Sequence, residues 1–154
     1  MRLVVGGDHA GFRLKGPVIE ALRQRGHDVL DVGSFSAEPV DFPDVAKRLT
    51  RAILDGTSER GIMVCGTGVG AAIAANKVPG IRAAVCHDLY SAHQCVEHDD
   101  VNVLCLGAQI VGELMALELI DTYLGARFAD TEEFRRRVDK LGEMDGSGPA
   151  RKRT

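Results

Sequence analysis

Short valine-rich runs alternate along this chain with segments of helical periodicity, and this alternation restricts the fold more than any other feature. The apolar runs cover residues 3–7, 28–32, 61–65, 82–86 and 101–106. Runs of this kind are typical of strands that are buried on both faces of a parallel sheet. The segments between and after them predict helices over residues 12–24, 44–54, 69–76, 89–97 and 112–124.

Five strand–helix repeats predict an α/β protein: a three-layer, Rossmann-like domain with a five-stranded parallel sheet and right-handed crossovers. The chain has 154 residues, too few for an eight-stranded barrel. We expect one domain over residues 1–144, ending in a short helix in which Val138, Leu141 and Met144 share an apolar spacing. Residues 145–154 are expected to form a disordered basic tail.

Composition excludes several classes of protein. A hydrophobic content of 45%, a charged content of 27% and a net charge of −3 are ordinary for a globular protein. Aromatic residues make up only 5% and tryptophan is absent, so we expect no nucleic-acid partner. No apolar segment approaches the roughly 20 residues that span a bilayer, and the N-terminus is typical of a first strand rather than a signal peptide. We therefore expect a cytoplasmic protein without a membrane partner.

The four cysteines are predicted to be reduced thiols rather than metal ligands. Cys65, Cys86, Cys95 and Cys105 lack the short paired spacing of zinc sites. We therefore expect no metal.

A glycine-rich turn follows the third predicted strand. In Cys65-Gly66-Thr67-Gly68-Val69-Gly70 the glycines allow backbone N–H groups to converge, and the start of a helix adds a positive dipole end. This turn is suited to binding an anion, and the pKa of the thiol beside it is expected to fall toward neutrality. A buried cysteine at a strand end is the structural alternative. The spacing of Gly66, Gly68 and Ala71 also fits a dinucleotide-binding pattern, which leaves a nicotinamide cofactor as another alternative.

Further candidate residues follow the other predicted strands. Ligands of open parallel sheets bind beyond the carboxyl ends of the strands, and Asp8 and His9 come directly after the first one. Asp8 either orients an imidazole or a substrate hydroxyl, or caps the first helix. His87 and Asp88, after the fourth strand, are more typical of a helix cap. His98, before the fifth strand, is a candidate proton shuttle, although the acids after it are equally typical of a turn.

Four segments together resemble the type B ribose-5-phosphate isomerases and their galactose-6-phosphate isomerase relatives, over residues 2 to 140. They are Gly7-Asp8-His9-Ala10-Gly11, Asp41-Phe42-Pro43-Asp44, the glycine-rich turn with its helix, and Glu97-His98-Asp99-Asp100-Val101-Asn102. The resemblance implies aldose–ketose isomerisation through a cis-enediolate, without a metal or an organic cofactor. It also implies a homodimer or homotetramer with active sites at the subunit interface.

The resemblance assigns a role to each candidate residue. Cys65 is the base that moves a proton between C1 and C2, and Thr67 assists proton movement between the oxygens. Asp8 and His98 open the sugar ring. The implied substrate-binding residues are His9, Gly66, Gly68, Val69, Gly70, Asp99 and Arg137.

The chain departs from the family pattern where the relatives bind phosphate. Members usually carry arginine at the position of Gln109, arginine and histidine at those of Glu133 and Phe134, and asparagine at that of Asp99. A phosphate dianion is best bound by bidentate arginine. The resemblance implies ribose 5-phosphate as the default substrate, and the absence of two of these arginines gives the alternative, a different or unphosphorylated sugar. A more remote alternative is a non-catalytic sugar- or nucleotide-binding module.

Overall fold

A computed structural model describes residues 1–148 and contains a five-stranded, all-parallel sheet in the order β2-β1-β3-β5-β4. The strands are β1 (Arg2–Gly7), β2 (Asp28–Asp31), β3 (Arg60–Cys65), β4 (Ala83–Val85) and β5 (Val103–Gly107). The helices are α1 (Phe12–Gln24), α2 (Phe42–Leu54), α3 (Val69–Ala75), α4 (Leu89–Asp99), α5 (Glu113–Gly125) and α6 (Glu132–Asp145). The predicted three-layer α/β architecture is confirmed.

The core consists of two apolar layers, one on each face of the sheet. One layer packs α1, α4 and α5 against side chains such as Val5, Ile62 and Leu104. The other packs α2 and α3 against the opposite faces of the same strands, through residues such as Val4 and Met63. Alternate strand residues point to opposite faces, which explains why the central strands are continuously apolar. Every residue of β3 is buried.

The last helix differs from its prediction. It extends over 14 residues from a Thr131 N-cap, whose side chain accepts a hydrogen bond from the Phe134 backbone N–H. The expected apolar face is wrong in part: Val138 is buried, whereas Leu141 is 41% and Met144 84% exposed. Residues 146–148 of the predicted tail are placed, and the Gly148 N–H donates to the Gly142 carbonyl. Residues 149–154 lie outside the described residues.

The strand order brings the ends of β1 and β3 side by side, because β1 pairs with β2 on one side and with β3 on the other. This reversal point is where open α/β sheets bind ligands. Gly11, which precedes α1, lies so close to β3 that a Cβ atom built on it would be 2.0 Å from the Val64 carbonyl oxygen. Only glycine permits this approach. No helix within residues 1–148 has the length and apolarity needed to cross a membrane.

Candidate active site

A buried thiol–carboxylate pair lies at the carboxyl ends of β1 and β3. The Cys65 Sγ donates a hydrogen bond to Asp8 Oδ2 at 3.0 Å, and the other carboxylate oxygen accepts one from the Gly11 N–H at 2.9 Å. Asp8 is 4% and Cys65 8% exposed. The contact with Gly11 supports the alternative in which Asp8 binds the start of α1, and the contact with the Cys65 thiol is one that the sequence did not predict.

The expected fall in the pKa of Cys65 is wrong. Burial raises the pKa of the Cys65 thiol, and the hydrogen bond and negative charge of Asp8 raise it further. The backbone N–H groups of Gly68 and Gly66 act in the opposite direction but are weaker contributors. The thiol is therefore the resting form at neutral pH, since a protonated sulfur both avoids desolvated charge and donates to Asp8.

The glycine-rich turn has the geometry that its sequence predicts. Gly68 has φ of 81°, a left-handed conformation that is costly for residues with a Cβ atom. Gly70 lies against the Phe42 ring, where an added Cβ would be 3.0 Å from Cζ. Thr67 is exposed, and its hydroxyl accepts a hydrogen bond from the Val69 N–H at 3.4 Å. The turn and the Cys65–Asp8 pair thus form one site.

Four further side chains lie at this edge of the sheet: His9, Gln109, His87 and Asp88. The Val40 N–H donates to His9 Nδ1 at 3.3 Å, which connects His9 to the loop before α2. Gln109 lies over the turn, because its Oε1 would be 3.3 Å from a Cβ built on Gly66. His87 Nε2 accepts from the Gly107 N–H at 2.9 Å and so has a structural partner. As predicted for a cap, Asp88 accepts from the Ser91 N–H.

The chain places His98 at the opposite edge of the sheet. Helix α4 starts beyond the carboxyl end of β4 and runs back to the start of β5, so its last turn lies near Val103, which pairs with Gly61. Cys65 lies four residues beyond Gly61 on the same strand, which is about 13 Å along the sheet. Asp99 shares this corner with His98. A single chain therefore does not bring His98 to the Cys65–Asp8 pair.

The side chains around His98 form a second cluster, the α4–α6 cluster, of His98, Gln94, Phe134, Arg137 and Glu133. The Phe134 ring stacks on the imidazole with a centroid distance of 4.2 Å and an interplanar angle of 18°. Arg137 lies over Phe134, with Cζ 5.9 Å from the ring centroid, and forms an ion pair with Glu133. This pairing means that the arginine predicted to bind substrate already has an acidic neighbour.

Three members of the α4–α6 cluster were not predicted as site residues: Gln94, Phe134 and Glu133. Gln94 contacts His98 Nδ1 at 2.8 Å, and its position four residues before the histidine on a predicted helix was a usable signal. Phe134 was noted only as a departure from a motif. No pattern in the sequence indicates that α6 packs against α4.

The fold and the site together define a small α/β enzyme domain with a thiol–carboxylate pair beside a glycine-rich turn. Comparison with known proteins agrees: the family model "Ribose/Galactose Isomerase" matches residues 3–141. The chain belongs to this family of sugar isomerases.

Individual relatives support the same assignment. Ribose-5-phosphate isomerase B of Escherichia coli is 43% identical over 127 residues, 82% of this chain and 85% of that protein. D-erythrulose-4-phosphate isomerase of Pectobacterium atrosepticum is 42% identical over 132 residues, covering 83% and 85%. Among solved structures, Clostridium thermocellum ribose-5-phosphate isomerase B has a TM-score of 0.92 at 44% identity and covers 95% of this chain and 98% of its own.

Proposed function

We propose that this protein interconverts an aldose phosphate and a ketose phosphate, by default ribose 5-phosphate and ribulose 5-phosphate, through a cis-enediolate. The observation that carries the proposal is the buried Cys65–Asp8 pair beside the glycine-rich turn. A single base suffices for this reaction if it removes the C2 proton and returns it to C1 on one face of the substrate. The proposed reaction uses no metal and no organic cofactor.

Cys65 is the proposed base. Its thiolate takes the proton from C2 of the aldose, which gives the enediolate and a neutral thiol. The thiol then delivers the same proton to C1, which gives the ketose and restores the thiolate. Because the pKa of Cys65 is raised, the thiolate is scarce at neutral pH but is a strong base where it forms.

Backbone N–H groups of the turn are proposed to stabilise the enediolate oxygens. The N–H groups of Gly66 and Gly68 already act on the Cys65 sulfur, and those of Val69 and Gly70 lie in the first turn of α3, where helical partners are lacking. Losing one donor of such a hole costs about 10²–10³ in rate. Thr67 is proposed to assist proton movement between O1 and O2.

The complete site is proposed to form between two copies of the chain, in a homodimer or homotetramer. Asp8 and His9 on one chain and His98 on its neighbour would then act together on the sugar ring. Exposed apolar side chains near the Cys65 edge support an interface there: Val69, Ile73, Tyr90, Ile110 and Leu114 are 54–81% exposed. Groups of exposed apolar residues mark interaction surfaces.

A second candidate function is isomerisation of a different sugar or sugar phosphate. Gln109 is neutral where it lies over the turn, and Arg137 is paired with Glu133. Both features reduce the positive charge that is available to bind a phosphate dianion. One relative at 42% identity is a D-erythrulose-4-phosphate isomerase, so tetrose phosphates belong in any substrate comparison.

The proposal is tested by measuring kcat and KM for ribose 5-phosphate, a tetrose 4-phosphate, free ribose and allose. Cys65→Ser should abolish turnover while circular dichroism and substrate binding remain close to wild type. Cys95→Ser, which changes another buried thiol, is the matched control and should retain activity. Unchanged turnover in Cys65→Ser refutes the proposed base, and binding without turnover in the wild type indicates a sugar-binding module.

A further inference from the structure

His98 is held on two sides by groups that the resemblance does not assign to the reaction. We infer that Gln94 and Phe134 are positioning residues, which fix the tautomer and the ring plane of His98 so that Nε2–H is the donor offered to a sugar oxygen. The inference rests on the proposed ring-opening role of His98.

The contact with Gln94 fixes the tautomer. Gln94 Nε2 is 2.8 Å from His98 Nδ1, and an amide nitrogen has donors but no acceptor. With the amide in this orientation, Nδ1 supplies its lone pair and the proton of the neutral ring lies on Nε2. Glu97 Oε2 lies 3.8 Å from Nε2, beyond hydrogen-bond distance, and is closer to His93 Nε2 at 3.3 Å.

The contact with Phe134 fixes the ring plane. Two nearly parallel rings with a centroid distance of 4.2 Å restrict rotation of the imidazole about χ2. Phe134 is half-buried, and the Thr131 N-cap fixes the start of its helix. His98 is still about one-third exposed, which leaves Nε2 accessible to a ligand.

A neutral imidazole with a fixed Nε2–H can act on a ring-form sugar. It hydrogen-bonds the ring oxygen and donates its proton as the C1–O bond breaks, while a carboxylate such as Asp8 accepts the proton of the C1 hydroxyl. Other enzymes also use a neutral imidazole as the electrophilic group at an oxygen. A wrong tautomer is costly: where the orienting carboxylate of a serine protease is replaced, kcat falls about 10⁴-fold.

The tautomer is measured directly by ¹⁵N–¹H NMR of the histidine rings, at a pH of about 8, above the ordinary histidine pKa. We expect Nε2–H on His98 in the wild type, with the signal assigned by its loss in His98→Asn. In Gln94→Glu the carboxylate accepts rather than donates, so Nδ1 should become protonated. Gln24→Leu is the matched control, because Gln24 makes the same kind of i, i+4 contact with Glu20 on another helix. Nδ1–H in the wild type, or no change in Gln94→Glu, overturns the inference.

Measurements of kcat on two substrates separate an effect on ring opening from an effect on isomerisation. A tetrose 4-phosphate cannot close a five-membered ring because O4 carries the phosphate, whereas ribose 5-phosphate can. Gln94→Glu should lower kcat on ribose 5-phosphate about tenfold or more and leave kcat on the tetrose phosphate near wild type. An equal loss on both substrates contradicts a role in ring opening. If the wild type converts neither substrate, the proposed function fails, and the NMR measurement still decides the positioning claim.

The role of Phe134 is tested by a pair of variants. Phe134→Leu removes the stacked ring and should lower kcat on ribose 5-phosphate with little change in KM, while Phe134→Tyr should restore it. Phe35→Leu is the control, since Phe35 is 74% exposed on another surface. Failure of Phe134→Tyr to restore kcat, or an equal loss in Phe35→Leu, contradicts the role of the stacked ring.

Discussion

At the scale of single residues, the contact between Cys65 and Asp8 determines how the candidate base behaves. A thiol beside a glycine-rich turn alone would be expected to ionise easily. Burial and the adjacent carboxylate instead raise its pKa. The site therefore keeps the sulfur protonated until conditions or a bound substrate favour the thiolate.

This contact predicts the pH dependence of Cys65 alkylation. Because the pKa is raised, the thiolate fraction at neutral pH is below that of an ordinary cysteine and increases only as the pH rises above the ordinary value of about 8.5. Replacing Asp8 with Asn removes the negative charge and lowers the pKa, so iodoacetamide should label Asp8→Asn faster than wild type at pH near 8.

The other thiols provide the control for this experiment. Cys86 and Cys105 are 2% and 0% exposed, whereas Cys95 at 6% is nearly as exposed as Cys65 at 8%. The labelling of Cys65→Ser therefore measures the background from the other three thiols, and this background is subtracted from the labelling of each protein that retains Cys65. Slower labelling of Cys65 in Asp8→Asn than in wild type contradicts the electrostatic role assigned to Asp8.

At the scale of elements, the corner between α4 and β5 depends on one arginine. Arg82 Nε donates to the carbonyls of Asp99 and Asp100, and Nη2 donates to Asp100 Oδ2 at 2.6 Å. Asp100 adopts a left-handed conformation with φ of 47°. The side chain of Asn102 accepts from the Arg82 backbone N–H. These contacts hold the chain segment that carries His98.

Removal of this arginine should destabilise the fold. The Arg82 and Asp100 side chains are only 17% and 10% exposed, and breaking one partner of a buried pair costs about 3–5 kcal/mol. We expect Arg82→Gln to lower the free energy of unfolding by about 2–4 kcal/mol in urea denaturation. Arg25→Gln, which breaks the exposed pair with Asp121, is the control and should change it by about 0.5 kcal/mol or less. Equal effects of the two variants contradict a special role for the corner.

Local sequence patterns predict the elements well and their contacts poorly. Hydrophobic periodicity predicts α1 at the residues where it is observed, because helix starts and stops are encoded in neighbouring residues. The contact of Cys65 with Asp8 joins residues 57 positions apart and follows from β1 pairing with β3, which no local pattern specifies. For the same reason, the raised pKa of Cys65 and the stacking of Phe134 on His98 were not predicted.

At the scale of the whole molecule, the candidate residues divide into two groups at opposite edges of the sheet. Cys65 and Asp8 lie at the carboxyl ends of the strands, and the α4–α6 cluster lies near their amino ends. An active site that needs both groups requires a second copy of the chain. A two-fold interface would form two such sites at once.

Subunit complementation tests this arrangement. Cys65→Ser and His98→Asn should each be inactive, but co-expressed chains should form mixed dimers in which one site combines the intact Cys65 of one chain with the intact His98 of the other. We expect about a quarter of the wild-type activity from random mixing in a two-fold dimer. The chain that carries both substitutions, expressed alone, is the control and should be inactive. No recovery in the mixed dimers contradicts a shared site.

The central claim is that Cys65 carries a proton between two carbons of the substrate. Its most direct test is isomerisation of the best substrate of the panel in D₂O, followed by ¹H NMR. Over many turnovers the proton held on Sγ exchanges with solvent deuterons before it is returned, so wild-type protein should gradually introduce deuterium at C1 and C2, whereas folded Cys65→Ser should introduce none above the uncatalysed rate. Deuterium incorporation by Cys65→Ser at the wild-type rate would contradict the claim.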